Sequence, residues 1–340
     1  MQIMSTDQPP RVPLVVSLAP TSTDQPPHPQ SQQQLQALST GDALGTLDFW
    51  RIRLLMDQGS IPSVRVGART PVVLTTEQEQ QYALLSKKSP GVMLMLATAD
   101  FWAATQVSGS AWSDIDGIAS SSLRLVPLSG PPTHWVHTLP AVSKAAYLRS
   151  VTAVAATMGR APGDILHQVK AQAGLPHLFL PIALGMADEG ATEPGLARPL
   201  TCAVVDLVHA VVSVAVHRLK HLLLVPRPDD NVAFPGNGVT PLIPVPGYTA
   251  YPSGHSALMS AMATVLSSVV GANGAQAAEL QALASTIAIN RERAGLHPAL
   301  DTEAGDHLGR ALGGWMIDAV QHPAFGPWSA LYAMASHEWS

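Results

Sequence analysis

From Ala141 onward, apolar residues recur at spacings of three and four, the period of helices that bury one face. The pattern predicts helices over Ala141–Met158, Leu200–His221, His255–Val270, Ala275–Ala294 and Thr302–Val320, with Pro- and Gly-bearing loops between them. The longest loop, Pro226–Pro252, exceeds the roughly 12–15 residues beyond which an unstructured connection is usually functional or disordered. Upstream, residues 41–140 read as a mixed, partly helical region, with helices expected at Thr76–Ser86 and around Gly91–Gln106 and turns near Ser129–Pro132. The run Gly91–Ala97 (GVMLMLA) is apolar at too many positions to be anything but core. No strand-type alternation is sustained, so the expected fold class is all-α, a helical bundle occupying residues 141–340.

Residues 1–40 break the pattern. They are rich in Pro, Gln, Ser and Thr and repeat STDQPP at Ser5–Pro10 and Ser22–Pro27, a composition that buries too little apolar surface to offset its ordering entropy. A disordered tail is expected there. The short apolar stretch Val12–Pro20 follows no basic run and is bracketed by prolines, so it does not read as a secretory signal. The longest apolar segment, Leu200–Val216, is interrupted by Asp206 and His209 and is shorter than the roughly 20 residues that span a bilayer. A buried core helix, no transmembrane segment and a cytoplasmic location are the expectations.

Charge sharpens the picture because it is scarce. Only 13% of the 340 residues are Asp, Glu, Lys or Arg, and the net charge is −5, which argues against nucleic acid as a partner. Cys202 is the single cysteine, which excludes an internal disulfide and any cysteine-based metal centre. His134, His137, His167 and His177 form no metal-ligand pattern and are expected at the surface or in caps.

Three stretches concentrate what charge there is. In Lys220–Pro228 (KHLLLVPRP), Lys220 ends a predicted helix and Arg227 stands between two prolines, which restrict its backbone. A helix C-terminus complemented by Arg218, Lys220 and His221 is the ordinary alternative. In Pro252–His255 (PSGH), Ser253 and Gly254 open a predicted helix whose unpaired N–H groups and dipole attract anions, and His255 projects from its first turn. A serine N-cap beside an exposed histidine accounts for the same letters. In Arg291–Asp301 (RERAGLHPALD), Arg291 precedes His297 by six residues along a helix that Gly295 would end, and Asp301 follows four residues later. A reactive imidazole needs one bare ring nitrogen and an acceptor for the other, and Asp301 is the nearest downstream candidate, although it would serve equally as an N-cap. Arg293 competes with Arg291; the spacing selects Arg291. Together the stretches offer three cations, a hydroxyl, a glycine amide, two histidines and a carboxylate, the set a tetrahedral oxyanion requires.

In this order, KxxxxxxRP, PSGH and RxxxxxHxxxD resemble the signature of the type 2 phosphatidic acid phosphatase and vanadium-dependent haloperoxidase superfamily, over about residues 200–320. The resemblance implies a helical bundle whose motif residues surround phosphate or vanadate. It implies that Lys220, Arg227 and Arg291 hold the anion's oxygens, with hydrogen bonds from Ser253 and Gly254. His297 would be the nucleophile or, if vanadate is bound, the metal ligand; His255 would be the general acid/base and Asp301 the orienter of His297. This sequence departs from the pattern at Asn290, where a serine is usual, and at His217 and Tyr248, where haloperoxidases carry tryptophan and phenylalanine or histidine. The contexts AYPSGHSA and NRERAGLH look more like the soluble, haloperoxidase-like bacterial branch. The expected activity is phosphate-ester hydrolysis, with no cofactor and a small-molecule phosphate ester as substrate. The alternatives are a haloperoxidase using vanadate, peroxide and halide, and a non-catalytic oxyanion-binding protein, which would be expected to lose His255 or His297.

Overall fold

The computed structural model describes residues 62–67, 70–85, 97–102, 105–112, 117–125, 135–161, 163, 165–174, 176–186 and 197–340. The expected tail at 1–40, the stretch Val12–Pro20, the turns near Ser129–Pro132, most of Gly91–Ala97 and His134 lie outside the described residues; Ala97 itself is buried.

The described elements are α1 (Thr76–Leu85), β1 (Thr105–Ser108), β2 (Gly117–Ile118), β3 (Ser121–Leu125), β4 (Trp135–Leu139), β5 (Val142–Ser143), α2 (Lys144–Gly159), α3 (Ile165–Gly174), α4 (Phe179–Ala183), α5 (Pro199–Leu223), α6 (Gly254–Val269), α7 (Gly274–Arg293), α8 (Ala299–Ala319) and α9 (Gly326–His337). Helices dominate, and the five predicted after Ala141 are all present. Residues 97–102 are also helical, but the helix expected to reach Gln106 gives way to β1 at Thr105.

The N-terminal region carries strands that the sequence did not signal. β1, β3 and β4 form an antiparallel sheet in the order β1-β3-β4, with Thr105 opposite Leu125 and Ser121 opposite Leu139, while β2 pairs with β5. Each strand has only two to five residues, too few for a period of two to emerge from the noise. Leu123 and Leu139 turn inward and join the same hydrophobic core as the helices.

Helix α5 is longer than the apolar segment that suggested it, because Leu219, Lys220 and Leu223 continue its buried face. Its 25 residues are long and apolar enough to cross a membrane by composition; 61% of the most apolar window is buried inside the fold. Its N-terminus is held by the far end of the chain. The Glu338 carboxylate accepts from Leu200 N (3.0 Å), Thr201 N (2.8 Å) and Thr201 Oγ1 (2.8 Å), placing negative charge where the helix dipole favours it.

The pair α6 and α8 forms the centre. Gly305, Gly309 and Gly313 lie one turn apart along α8 and face α6: a Cβ at Gly305 would stand 2.5 Å from Ser253 O, one at Gly313 2.8 Å from Thr264 Cβ, and one at Gly309 would overlap the Ala257 carbonyl. Only glycine permits this approach. It matters because α6 begins at the PSGH segment and α8 begins just after His297, so their closeness brings two of the three motifs together.

Candidate active site

The first motif is anchored by the long loop. At the end of α5, buried Lys220 donates from Nζ to Thr249 O (2.7 Å) and to Ala250 O. Arg227 donates from Nε to Tyr248 O (2.9 Å) and from Nη1 to Leu296 O (3.0 Å). Three successive carbonyls, 248 to 250, therefore seat two cations. Pro226–Pro252 contains no helix or strand but is bound in place in this way, so it is an ordered connection. Burial, then the neighbouring Arg227 charge, pushes the Lys220 pKa well below its usual range, with Asp301 opposing. Burial also lowers that of Arg227.

Arg291 is fully buried near the end of α7, whereas Arg293 is half-buried and donates to Asn290 Oδ1 at 3.0 Å. From Nη2 it donates to Val169 O (3.0 Å) and Gln172 Oε1 (2.9 Å), both on α3. Its pKa is pushed down to about 10 by burial, still cationic at neutral pH. Three buried guanidinium nitrogens have no hydrogen-bond partner: Arg227 Nη2, Arg291 Nε and Arg291 Nη1. Leaving such a donor unsatisfied costs about 1–3 kcal/mol, more when it is charged, so the three together call for an anionic acceptor.

His297 lies between Arg227 and Asp301. Its Nδ1 is 2.8 Å from Asp301 Oδ2 and its Nε2 is 3.1 Å from Arg227 Nη1. Donation of Nδ1–H to the carboxylate leaves the Nε2 lone pair facing the cations. Burial first, then Arg227 and Lys220, holds the His297 pKa well below its ordinary value, so the ring is neutral at pH 7. Asp301 is not an exposed cap: it is fully buried in the first turn of α8, and Pro298 occupies the N-cap. Burial raises its pKa to about 7 against the opposing pull of Lys220, Tyr147 and Arg227.

Ser253 does cap α6, its Oγ accepting from Ser256 N at 3.4 Å, and its own N–H donates to Asp301 O at 2.9 Å. A hydroxyl that accepts in this way keeps its proton for another acceptor. Gly254 contributes the first amide of the helix. His255 is half-buried, with Nε2 3.2 Å from Gln172 O. Its pKa is lowered to about 3, by burial first and then by Arg291, partly offset by the Gln172 carbonyl.

Residues 201–323 match the PAP2 superfamily. This part of the chain is similar to that superfamily. It holds every motif residue named from the sequence, whereas 62–186 lie outside it. Among solved structures, one that resembles the chain is the crystal structure of a bacterial vanadium-dependent iodoperoxidase, at 20% identity and a TM-score of 0.42, covering 53% of this chain and 52% of that one. The chain thus spans about half the length of that protein. No curated protein matches.

Two residues outside the matched segment complete the site and were not foreseen. Tyr147, fully buried on α2, donates its hydroxyl to Asp301 Oδ1 at 2.8 Å. Gln172 on α3 serves both Arg291 and His255, and its Oε1 also accepts from Asn290 Nδ2 at 3.3 Å. Asn290, the departure from the family pattern, thus tethers α7 to α3, with a further bond to Gln168 Oε1 at 3.1 Å. The only local hint was the Gln-rich face of HQVKAQAG, which has no reason to point at Arg291 until α3 packs on α7. His177 is neither exposed nor in a cap role: it stacks on His209 with centroids 4.7 Å apart, because the turn before α4 packs on α5. No group of three or more His, Cys, Asp or Glu able to hold a metal ion occurs among the described residues.

Proposed function

We propose that the protein is a phosphate-ester hydrolase that works through a phospho-histidine at His297. The observation that carries this reading is the chain Asp301–His297–Arg227, in which the imidazole is oriented by a buried carboxylate and its Nε2 faces guanidinium groups with unsatisfied donors. Three cations against one carboxylate favour a dianionic head, so a phosphomonoester is the preferred substrate class. Arg227, Arg291 and Lys220 bind its oxygens and neutralise the charge carried by the equatorial positions in the transition state. Arg227 Nη1 exchanges His297 for a phosphate oxygen, which releases the Nε2 lone pair.

His255 takes up a proton from solvent once the bound dianion offsets the field of the cations. His297 Nε2 then attacks phosphorus as the ester P–O bond breaks, and His255 gives that proton to the departing oxygen. The positive charge that develops on His297 is offset by Asp301. In the second half, His255 takes a proton from water, the resulting hydroxide attacks phosphorus, and the N–P bond breaks to return His297 and inorganic phosphate. A purely binding protein would have no use for a carboxylate buried against His297, which disfavours the non-catalytic alternative.

The same unsatisfied donors fit vanadate, a tetrahedral oxyanion of like geometry. His297 Nε2 would hold the vanadium and Lys220, Arg227 and Arg291 the oxygens, and bound vanadate supplies a Lewis-acidic centre for peroxide.

The test is hydrolysis of a chromogenic phosphomonoester by wild type and His297→Ala, with trapping of acid-labile phosphoenzyme. Turnover and phosphoenzyme in the wild type, both lost in the variant, are expected. Phosphate release insensitive to His297→Ala discards the mechanism. Turnover only of a dye with vanadate, peroxide and bromide, inhibited by phosphate, transfers the site to haloperoxidase chemistry.

A further inference from the structure

The residue whose carbonyl seats Arg227 also carries a large aromatic ring to the surface. Tyr248 is 43% exposed, while Ala250 and Tyr251, two and three residues on, are buried. Its ring centroid lies 5.3 Å from Arg227 Cζ and 5.5 Å from Lys220 Nζ. The exposed imidazole of His217, on α5 one turn before Lys220, meets it edge to face, with centroids 4.9 Å apart and planes at 72°. His217 is fixed in turn by Nδ1, 2.8 Å from Ser213 O.

We propose that Tyr248 and His217 form the subsite for the organic group of the bound ester, and that this group is aromatic. The proposal rests on the anion site described above. Once a phosphoryl group is held against Lys220, Arg227 and Arg291, its ester oxygen must point away from them, and the exposed face beside the cations is lined by Tyr248. Two rings set at 72° make a corner. A third flat ring can stack on one wall and meet the edge of the other, the two arrangements aromatic groups prefer. The position of this corner relative to the phosphate is rigid, because the Tyr248 backbone holds Arg227 and α5 carries both His217 and Lys220. A small aliphatic ester would leave it unfilled.

Phenylphosphonate and methylphosphonate carry the same head and no cleavable ester bond, so calorimetric binding of the two separates the subsite from catalysis. The wild type is expected to prefer phenylphosphonate by about five- to tenfold. The preference should collapse toward unity in Tyr248→Ala, persist in Tyr248→Phe, which keeps the ring, and fall in His217→Ala. Equal affinity for both ligands in the wild type, or an unchanged preference in Tyr248→Ala, overturns the aromatic subsite while leaving the anion site standing. If neither phosphonate binds the wild type, the anion site fails and the subsite fails with it.

Discussion

The hydroxyl of Tyr147 donates to Asp301 Oδ1 at 2.8 Å, across 154 residues of sequence, while the other carboxylate oxygen holds His297. This bond favours the ionised carboxylate, which burial otherwise pushes up to about 7. Tyr147→Phe should therefore raise the Asp301 pKa further and move the acidic limb of the pH–rate profile upward, with little change on the alkaline side. The sign for stability follows from the same shift. Since the folded pKa lies above the ordinary 3.8, the contribution of Asp301 to stability is full below about pH 4 and declines as pH rises through about 7. A profile superimposable on that of the wild type would reduce Tyr147 to a packing role.

His255 has the opposite sign. Its folded pKa of about 3 lies below the ordinary 6.5, so the unfolded chain takes up a proton that the folded protein refuses, and stability falls as pH drops from about 6.5 toward 3. A dianion seated against Lys220, Arg227 and Arg291 offsets the field that depresses this imidazole. Binding near pH 6 of sulfate, a dianion with no proton of its own to lose, should thus be accompanied by uptake of up to about one proton. Calorimetry in buffers of different ionisation enthalpy measures it directly. Uptake that survives in His255→Ala would assign the proton elsewhere and remove the general-acid role.

Gln172 supports Arg291 through its side chain and His255 through its backbone carbonyl, so one substitution separates the two. Gln172→Ala removes the side-chain bonds to Arg291 and Asn290 and keeps the carbonyl contact with His255. Loss of a charged hydrogen bond predicts about a tenfold rise in KM and in the inhibition constant of phosphate, with a smaller change in kcat. If kcat falls and KM stays constant, Arg291 is not an anion ligand held by this residue.

The approach of α6 and α8 offers a paired test of packing. Gly309→Ala forces a methyl group into the Ala257 carbonyl and should destabilise the fold by about 1–3 kcal/mol. Gly314→Ala, five residues on in the same helix with nothing within 4 Å, should be neutral or stabilising by about 0.5–1 kcal/mol, since alanine is the better helix former. Equal melting temperatures for the two variants would contradict the close contact.

Local spacing made most of the site legible. His297 and Asp301 are four residues apart across a helix start, Ser253 and Gly254 stand at the start of α6, and Lys220 and Arg227 lie on either side of the end of α5, so each motif's geometry depends mainly on its own few residues. The five helices after Ala141 were legible for a similar reason: each sustains its period over 16 to 25 residues. The short strands β1 to β5 were not, since two to five residues cannot display a period, and α3 was missed because its ten residues fall short of the roughly 11–18-residue window over which a helical period is counted.

What the tertiary structure alone decided is the set of partners drawn from distant elements. Tyr147 reaches Asp301 and Gln172 reaches Arg291 because α2 and α3 pack against the α7–α8 corner, and no spacing within the chain encodes that meeting. Which guanidinium nitrogens remain unsatisfied was equally undetermined until the carbonyls of Tyr248, Leu296 and Val169 had claimed the others. The sequence by itself determined which groups could bind an anion. Packing determined which of their hydrogen bonds are left to bind it, because a buried donor is free only when every nearby acceptor is already committed or out of reach.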